Sequence, residues 1–569
     1  MRGKSILAGV AVLATGLIFV TGGGAATTTT VTLTVNSTAD SLTLCTIVNH
    51  KSTGTCTLRG AIRAADALKQ DNTMFVIKLA AKTYTLSMGT LDVHAASANT
   101  GNIVQIVGAT KGKTKTPASV INGSGNAKPT SVFEIYSPTQ MYNVVVTGGS
   151  GNTGGGIYTQ SALDLENAVV RNNTSCSSFT NNVCTTFADG GGIYLGGPNT
   201  TTPHLSLYKT TVTKNTAHFG GGLANENNHH TSIAIFSSHI DKNIACDTFS
   251  NGVCVGSGSG GGIYDDGESL LLENSTVKGN QAGSPAYDTG TFNTQSKGGG
   301  LYTNDTAQLI HTLVSGNVAG QYGGGVYADD HVDFVNSKVS NNVADYQGGG
   351  VFIDYLLTSK NSTFSGNVAG GTFECTINGN STTCKHTAKT MTGSCFGLYP
   401  SATACINYDG YGGGLYSYEE YPQVIATTIS NNVAASISGD AADCVGGKGG
   451  GVYSYWTFTM VGGSKVTGNS ADCGGGVYNY SGGPTSVYTF DFADSSITKN
   501  SAIEDGGAIW TAGSGSGTLY GMTITGNTAG RHTGGVWDDQ LGSVLLGVGN
   551  KLVKNTSPGA CKNITQPCK

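Results

Sequence analysis

Residues capable of chemistry recur at one place in the repeats of this chain. Two positions after the aromatic residue of a recurring glycine block stand Asp266, Asn304, Asp329 and Asp354, followed farther along by Tyr418, Tyr455 and Tyr480. Asp329 and Asp354 are 25 residues apart, one full repeat, so stacked repeats set their carboxylates about one strand spacing, roughly 4.8 Å, from each other. A pair at that distance has three chemical uses. Repulsion can raise one of the two pKa values, the pair can take Ca2+, or the two can act as acid and nucleophile, since retaining glycosidases hold their carboxyls about 5 to 5.5 Å apart. Asp329 and Asp354 are therefore the catalytic candidates. Asp266, Asn304, Tyr418, Tyr455 and Tyr480 are ligand-binding candidates, because a tyrosine row suits stacking on sugar rings. The plain alternative is a polar, solvent-facing strand with no chemistry.

Other motifs narrow the enzyme classes. A Ca2+-dependent polyuronate lyase typically sets an arginine base beside acidic calcium ligands, and no arginine lies between Arg171 and Arg531. Aspartate pairs at Asp265-Asp266, Asp329-Asp330 and Asp538-Asp539 are similar to polygalacturonase acids, yet the histidine-glycine and basic signatures that accompany those are missing. His331 reads as a surface histidine. No nucleophile-elbow, phosphate-loop or zinc motif occurs.

The elements that position these residues follow from the repeat itself. A Gly-Gly-Gly-apolar-aromatic block occurs at Gly260 to Tyr264, Gly298 to Tyr302, Gly323 to Tyr327, Gly348 to Phe352, Gly412 to Tyr416, Gly449 to Tyr453 and Gly474 to Tyr478, among others. It alternates with a signature S-x-V-x-x-N-x-A, as at 336–344. Gly323 and Gly348 are 25 residues apart, as are Asn317, Asn342 and Asn367. That distance is one coil. Its segments are short, β-branched and alternating, so they are strands and turns, and longer intervals are a coil plus a loop. The spacing predicts an all-β fold, a single-stranded right-handed parallel β-helix with a short N-terminal capping helix. Glycines serve its turns because they accept left-handed backbone, and interior asparagines can hydrogen-bond along the stack. The largest departure from the period, about 370–410, reads as a disulfide-rich insertion.

Composition bounds the partners and the compartment. Only 11% of the residues are charged, with 87 glycines in 569 and a net charge of -5, against roughly 25% charged in an ordinary domain. No basic cluster offers itself to nucleic acid. Arg2 and Lys4 precede an apolar run from Ile6 to Val20 that closes on Gly24-Ala25-Ala26, which reads as a signal peptide over 1–26 and an exported chain, with no transmembrane segment after its cleavage. The 14 cysteines fit an oxidising compartment. Local spacing pairs Cys45 with Cys56, Cys176 with Cys184, Cys246 with Cys254, Cys375 with Cys384, Cys395 with Cys405 and Cys561 with Cys568. Cys444 and Cys473 precede neighbouring glycine blocks and suit a bridge between stacked coils. Zinc is disfavoured, since no C-x2-C pair is present.

Residues 27–150 lack the glycine blocks but begin with V35-N-S-T-A-D40 and continue through C56-T-L-R-G-A-I62. Leu58, Ala61, Ile62, Ala65 and Leu68 share one helical face, which predicts the cap. Arg59 and Arg63 near that face read as solvated or salt-bridged. With C56-T-L-R-G-A61, K82-T-Y-T-L86 and V120-I-N-G123, this module resembles the bacterial CSLREA-domain proteins. The repeats over 151–557 resemble those of polymorphic outer-membrane proteins, and residues 558–569 read as a disulfide cap. Gly60 departs from the Glu or Ala usual in the motif. The resemblance implies a pectate-lyase-like solenoid that is secreted or exposed at the cell surface, and long faces presenting Asn, Thr, Ser and Tyr suggest an adhesin-like or structural role in contact with an extracellular glycan or surface protein. The alternative it leaves open is a polysaccharide lyase or glycoside hydrolase working in a groove near Asp329 and Asp354. No cofactor is implied beyond the Ca2+ that those carboxylates suggest.

Overall fold

One coil shows how sequence becomes architecture. His331–Val335, Lys338–Ser340, Val343–Ala344 and Val351–Ile353 are four successive strands. The first three pair in parallel with their counterparts 25 residues on, as in Val332 with Leu357, Val339 with Phe364 and Val343 with Val368, and the fourth with its counterpart 25 residues back, Phe352 with Tyr327. Repetition builds four parallel sheets, here called first to fourth in that order. They contain 18, 15, 10 and 15 strands, the first including a small antiparallel hairpin, Thr46–Val48 with Lys51–Thr53, at the N-terminal end. The chain is a parallel β-helix. This computed structural model describes residues 29–562 apart from 69, 95–100, 127, 181–182, 198–202, 227–230, 251, 285–295, 379–380, 388–406, 420, 436–443, 445, 482–488, 514–515, 539–543 and 557–560.

Alternation decides which side chains fill the interior. Val332, Phe334, Val339, Val351 and Ile353 are at most 1% exposed, while the residues between them point out, as period two requires. Burying such side chains contributes roughly 1.5–3 kcal/mol each.

The polar interior is an asparagine ladder, one residue per coil from Asn173 to Asn555. Asn342 Nδ2 donates to Asn367 Oδ1 (3.0 Å) and to the Val314 carbonyl (3.1 Å). Its Oδ1 accepts from the backbone N–H and from Nδ2 of Asn317, at 3.0 and 2.9 Å. Two donors and two acceptor sites are thus filled. The glycine block fits around this ladder. Gly323 has φ +63°, a left-handed turn, and a Cβ on Gly325 would lie 2.6 Å from the Gly350 carbonyl oxygen and 2.9 Å from Asn342 Nδ2.

Insertions enter where the third sheet turns into the fourth. The hairpins closed by Cys176–Cys184 and Cys246–Cys254 leave there, as does the antiparallel pair Gly371–Asn378 and Ser381–Thr387, in which Cys375 is opposite Cys384. Cys444 is bonded to Cys473 and Cys45 to Cys56. Cys395, Cys405 and Cys568, and the leader expected over 1–26, lie outside the described residues; Cys561 is in a terminal strand of the fourth sheet.

The cap is the helix Leu58–Ala67, whose N-cap Thr57 accepts from Gly60 N–H. Arg59 is buried rather than solvated. It binds Asp40 through Nε (2.6 Å) and Nη2 (3.1 Å), and donates to the carbonyls of Gly89 and Thr90. Gly60 has a steric cause, for a Cβ there would lie 2.3 Å from the Thr43 carbonyl oxygen. Among the described residues no helix is long and apolar enough to cross a membrane.

Asn342→Ala removes both acceptor contacts from Asn317 while leaving its donors buried, at about 1–3 kcal/mol for each unmet group. We expect roughly 2–5 kcal/mol of destabilisation by urea unfolding, and a clearly smaller loss for Asn555→Ala at the part-buried end of the ladder.

Candidate binding face on the fourth sheet

The outward residue of each three-residue strand in the fourth sheet is mostly aromatic, and parallel register stacks these rings. Centroids are 4.7 Å apart for Tyr264 and Tyr302, 5.3 Å for Tyr302 and Tyr327, 4.8 Å for Tyr327 and Phe352, and 4.9 Å for both Phe352–Tyr416 and Tyr416–Tyr453. Tyr327, Phe352, Tyr416, Tyr453 and Tyr478 are no more than 8% exposed. This ladder is therefore a floor, a second apolar core on the outside of the sheet.

Two rims flank it. On one side, in line with the row before each glycine block, Lys297, Tyr322, Gln347, Tyr411 and Lys448 bridge from coil to coil. On the other side runs the row expected to carry chemistry, and its register is exact to the backbone bond. Asp329 N–H donates to the Thr303 carbonyl (3.0 Å), Asp354 to Ala328 (2.9 Å), Tyr418 to Ile353 (3.0 Å) and Tyr455 to Ser417 (2.8 Å). Asp266 and Asn304 continue the row, with Asn304 Nδ2 donating to Asp266 Oδ1 at 2.7 Å.

Asp329 and Asp354 sit on adjacent coils but in unlike surroundings. Asp329 accepts from the hydroxyls of Tyr302 (2.9 Å) and Tyr327 (2.8 Å), one on each oxygen. On the next floor position the ring is Phe352, which has no hydroxyl to offer Asp354. Burial, reinforced by the charges of Asp329 and Glu419, pushes Asp354 up to about 6. Lys297 Nζ donates to the Tyr327 hydroxyl (2.7 Å) and lies 4.2 Å over that ring, and burial lowers its pKa. A cation would meet Asp354 and Glu419 more readily than Asp329, whose oxygens are engaged by the tyrosines.

Beyond this cluster the rim becomes aromatic. Tyr418 is 41% exposed. Tyr418 and Tyr455, and Tyr455 and Tyr480, are each 5.1 Å apart with tilted rings. Toward the N-terminus it stays acidic, for Glu226 accepts from the Tyr194 hydroxyl (3.0 Å). Burial and the neighbouring Asp189 push Glu226 up to about 7.

Several sequence motifs do not converge here. Asp265 points into the solenoid, accepts from Asn225 Nδ2 (2.7 Å), and is pushed up to about 7 by burial. Asp538 is also fully buried, so the aspartate pairs are not a repeated surface acid. His331 pairs with Asp333 (3.0 Å) on the outer side of the first sheet. Sequence reasoning missed Lys297, Glu419 and Glu226; aligning the residue before each glycine block would have found Lys297 and Lys448 together. The group Cys444, Cys473 and Glu504 has ligand atoms within 4.8 Å of one another, but the two sulfurs are bonded to each other and Glu504 accepts from the Cys444 N–H at 2.7 Å.

Residues 494–512 match the Chlamydia polymorphic membrane protein repeat. The matched stretch begins just after the first-sheet strand Thr489–Ala493 and runs through the ladder residue Asn500 to the floor residue Trp510, so it lies within one structural coil. No curated protein and no solved structure matched the chain.

The raised carboxyls have a linkage consequence. Asp354 and Asp66 at about 6, and Glu226 and Asp265 at about 7, bind protons more tightly folded than unfolded. Their stabilising contribution is full below pH about 4 and is lost as pH rises through 6 to 7. Urea unfolding should therefore show a contribution from these groups that falls between pH about 4 and 7, with a shallower fall in Asp354→Asn.

Proposed function

We propose that this protein is a surface-displayed or secreted solenoid of the CSLREA-like kind, and that it contacts extracellular glycans along the rim of the fourth sheet. The observation that carries this reading is the rim series of the exposed Tyr418 and the half-buried Tyr455 and Tyr480, on successive coils beside the aromatic floor. Rings held so present apolar faces and hydroxyls at a regular interval, as a sugar chain presents its own faces. Four disulfides among the described residues favour an oxidising, extracytoplasmic setting. A match to a membrane-protein repeat supports display at the cell surface.

The face also sets a preference by charge. Its fixed groups are mainly carboxylates: Glu226, Asp266, Asp329, Asp354 and Glu419. A polyuronate would be repelled, so the ligand is a neutral or amine-bearing glycan.

A second reading, hydrolysis, is favoured by one observation, the unlike surroundings of Asp329 and Asp354. Asp354, raised to about 6 by burial, keeps its proton to a higher pH than an ordinary carboxyl and is suited to give it to a leaving oxygen in mildly acidic solution. Adhesive contact remains the leading reading because both oxygens of Asp329 already accept tyrosine hydroxyls.

Neutral, amine-bearing and acidic polysaccharides immobilised on a sensor surface test this. Binding to the first two and not the third is expected, with a loss of about tenfold or more in Tyr418→Ala/Tyr455→Ala, since each stacked ring contributes on the order of 1 kcal/mol. Binding unchanged in that variant would remove the tyrosine rim from the account. Release of reducing ends that vanishes in Asp354→Asn would establish hydrolysis instead.

A further inference from the structure

The fourth sheet does not end blankly at the cap. On its first two coils the floor positions change from rings to acids, Asp92 on Leu91–Val93 and Glu134 on Phe133–Ile135, which lie side by side in register. The rim positions there are His94 and Tyr136, whose rings stack at 4.3 Å and 7°. The next floor ring, Tyr158, lies 6.3 Å from Tyr136, and Tyr194 lies 5.7 Å beyond it. Tyr158 and Tyr194 thus carry rings up to the acids at the cap, with Ala224 at the floor position between them and Tyr264.

Those acids open into a cavity of about 560 Å³ between the helix Leu58–Ala67 and the sheet. Such a volume falls within the roughly 300–1,000 Å³ of small-molecule sites. One wall is apolar, Ile62 and Leu91, each 1% exposed, with Met88 and Leu42 at the rim, 46% and 52% exposed. The other wall carries Asp66, Asp92 and Glu134. Asp66 accepts from the His94 backbone N–H (3.0 Å), and Glu134 accepts from the Tyr136 hydroxyl (3.0 Å).

Charge in the cavity is unbalanced. Arg59 is matched by Asp40 at 2.6 Å. Arg63, which donates to the Leu42 carbonyl oxygen, and the His94 ring are the other basic groups facing the three carboxyls. Burial raises both Asp66 and Asp92, and the nearby arginines and His94 offset it only in part.

We propose that this cavity is a terminal subsite for the amine-bearing end sugar of a glycan lying along the fourth sheet. The inference rests on the glycan-contact reading above and adds both a chemical class and a direction to it. An ammonium group finds acceptors in Asp92 and Glu134, while the apolar wall covers a sugar face. A uronate end would meet like charge, and an N-acetylated sugar brings no charge to balance the acids.

Isothermal titration of the protein with a glucosamine tetramer and with its N-acetylated counterpart tests the site. At neutral pH the glucosamine tetramer should bind at least about tenfold more tightly than the N-acetylated one. That preference should disappear in Asp92→Asn/Glu134→Gln, with circular dichroism and melting of this variant checked against the parent, and should weaken at about pH 4 as the carboxyls take up protons. Tyr418→Ala/Tyr455→Ala should leave tetramer binding intact, because those rings lie many coils away. Equal affinity for the two tetramers, no binding of the glucosamine tetramer, or full binding by the folded acid variant would each overturn the proposal. Loss of polymer binding in the tyrosine variant with tetramer binding kept supports both readings. Polymer binding unaffected in the tyrosine variant fails the rim and leaves the subsite standing.

Discussion

Everything in this protein hangs on one asparagine per coil finding the next. An amide buried without partners would cost several kcal/mol, so a coil out of register is penalised at once. Satisfied in both directions, the amide instead ties the turn of each coil to the coils above and below it. Hydrophobic alternation alone is weaker as a ruler, since valine, isoleucine and leucine substitute for one another along the interior without a fixed partner. The ladder therefore supplies register, and the apolar strands supply most of the burial energy.

That division explains the rest of the coil. Beside Asn342 the close approach favours a glycine, because a Cβ on Gly325 would meet a carbonyl of the next coil, and alanine takes the equivalent place in one coil, at Ala508. Fixing the glycines fixes the start of the fourth sheet and aims its outward residues in rows. The cysteine-bearing insertions leave at the corner before the glycine block, and shorter ones follow the fourth-sheet strand, as between Leu195 and His204. Floor, rims and loops are consequences of the same interior bond.

Much of this was legible in the sequence. A period of 25 residues, the glycine block and the N-x-A signature give the coil, its make-up of short strands and turns, and the row containing Asp329 and Asp354 without coordinates. The capping helix was readable from the spacing of Leu58, Ala61, Ile62 and Ala65. Less legible was which side of a strand each acid occupies. Asp265 and Asp266 are neighbours in sequence, yet period two sends one inside and the other out, and adjacent aspartates on paper look like one acidic site. Nor did the sequence show that the block tyrosines would be buried by their neighbours, leaving Tyr418 exposed and Tyr455 and Tyr480 half-buried on the rim. The cap cavity depends on how helix and sheet meet, a contact between segments about 30 residues apart that no local pattern announces.

The outer face of the fourth sheet is the central claim, and protection from hydroxyl-radical labelling tests it most directly. With a bound neutral or amine-bearing polysaccharide, side chains at Tyr418, Tyr455 and Tyr480 should lose labelling while Tyr142 and Tyr208 on the first sheet keep theirs. Protection on the first sheet, or a uniform pattern with no loss on the fourth, would contradict the account and move the contact surface elsewhere on the solenoid.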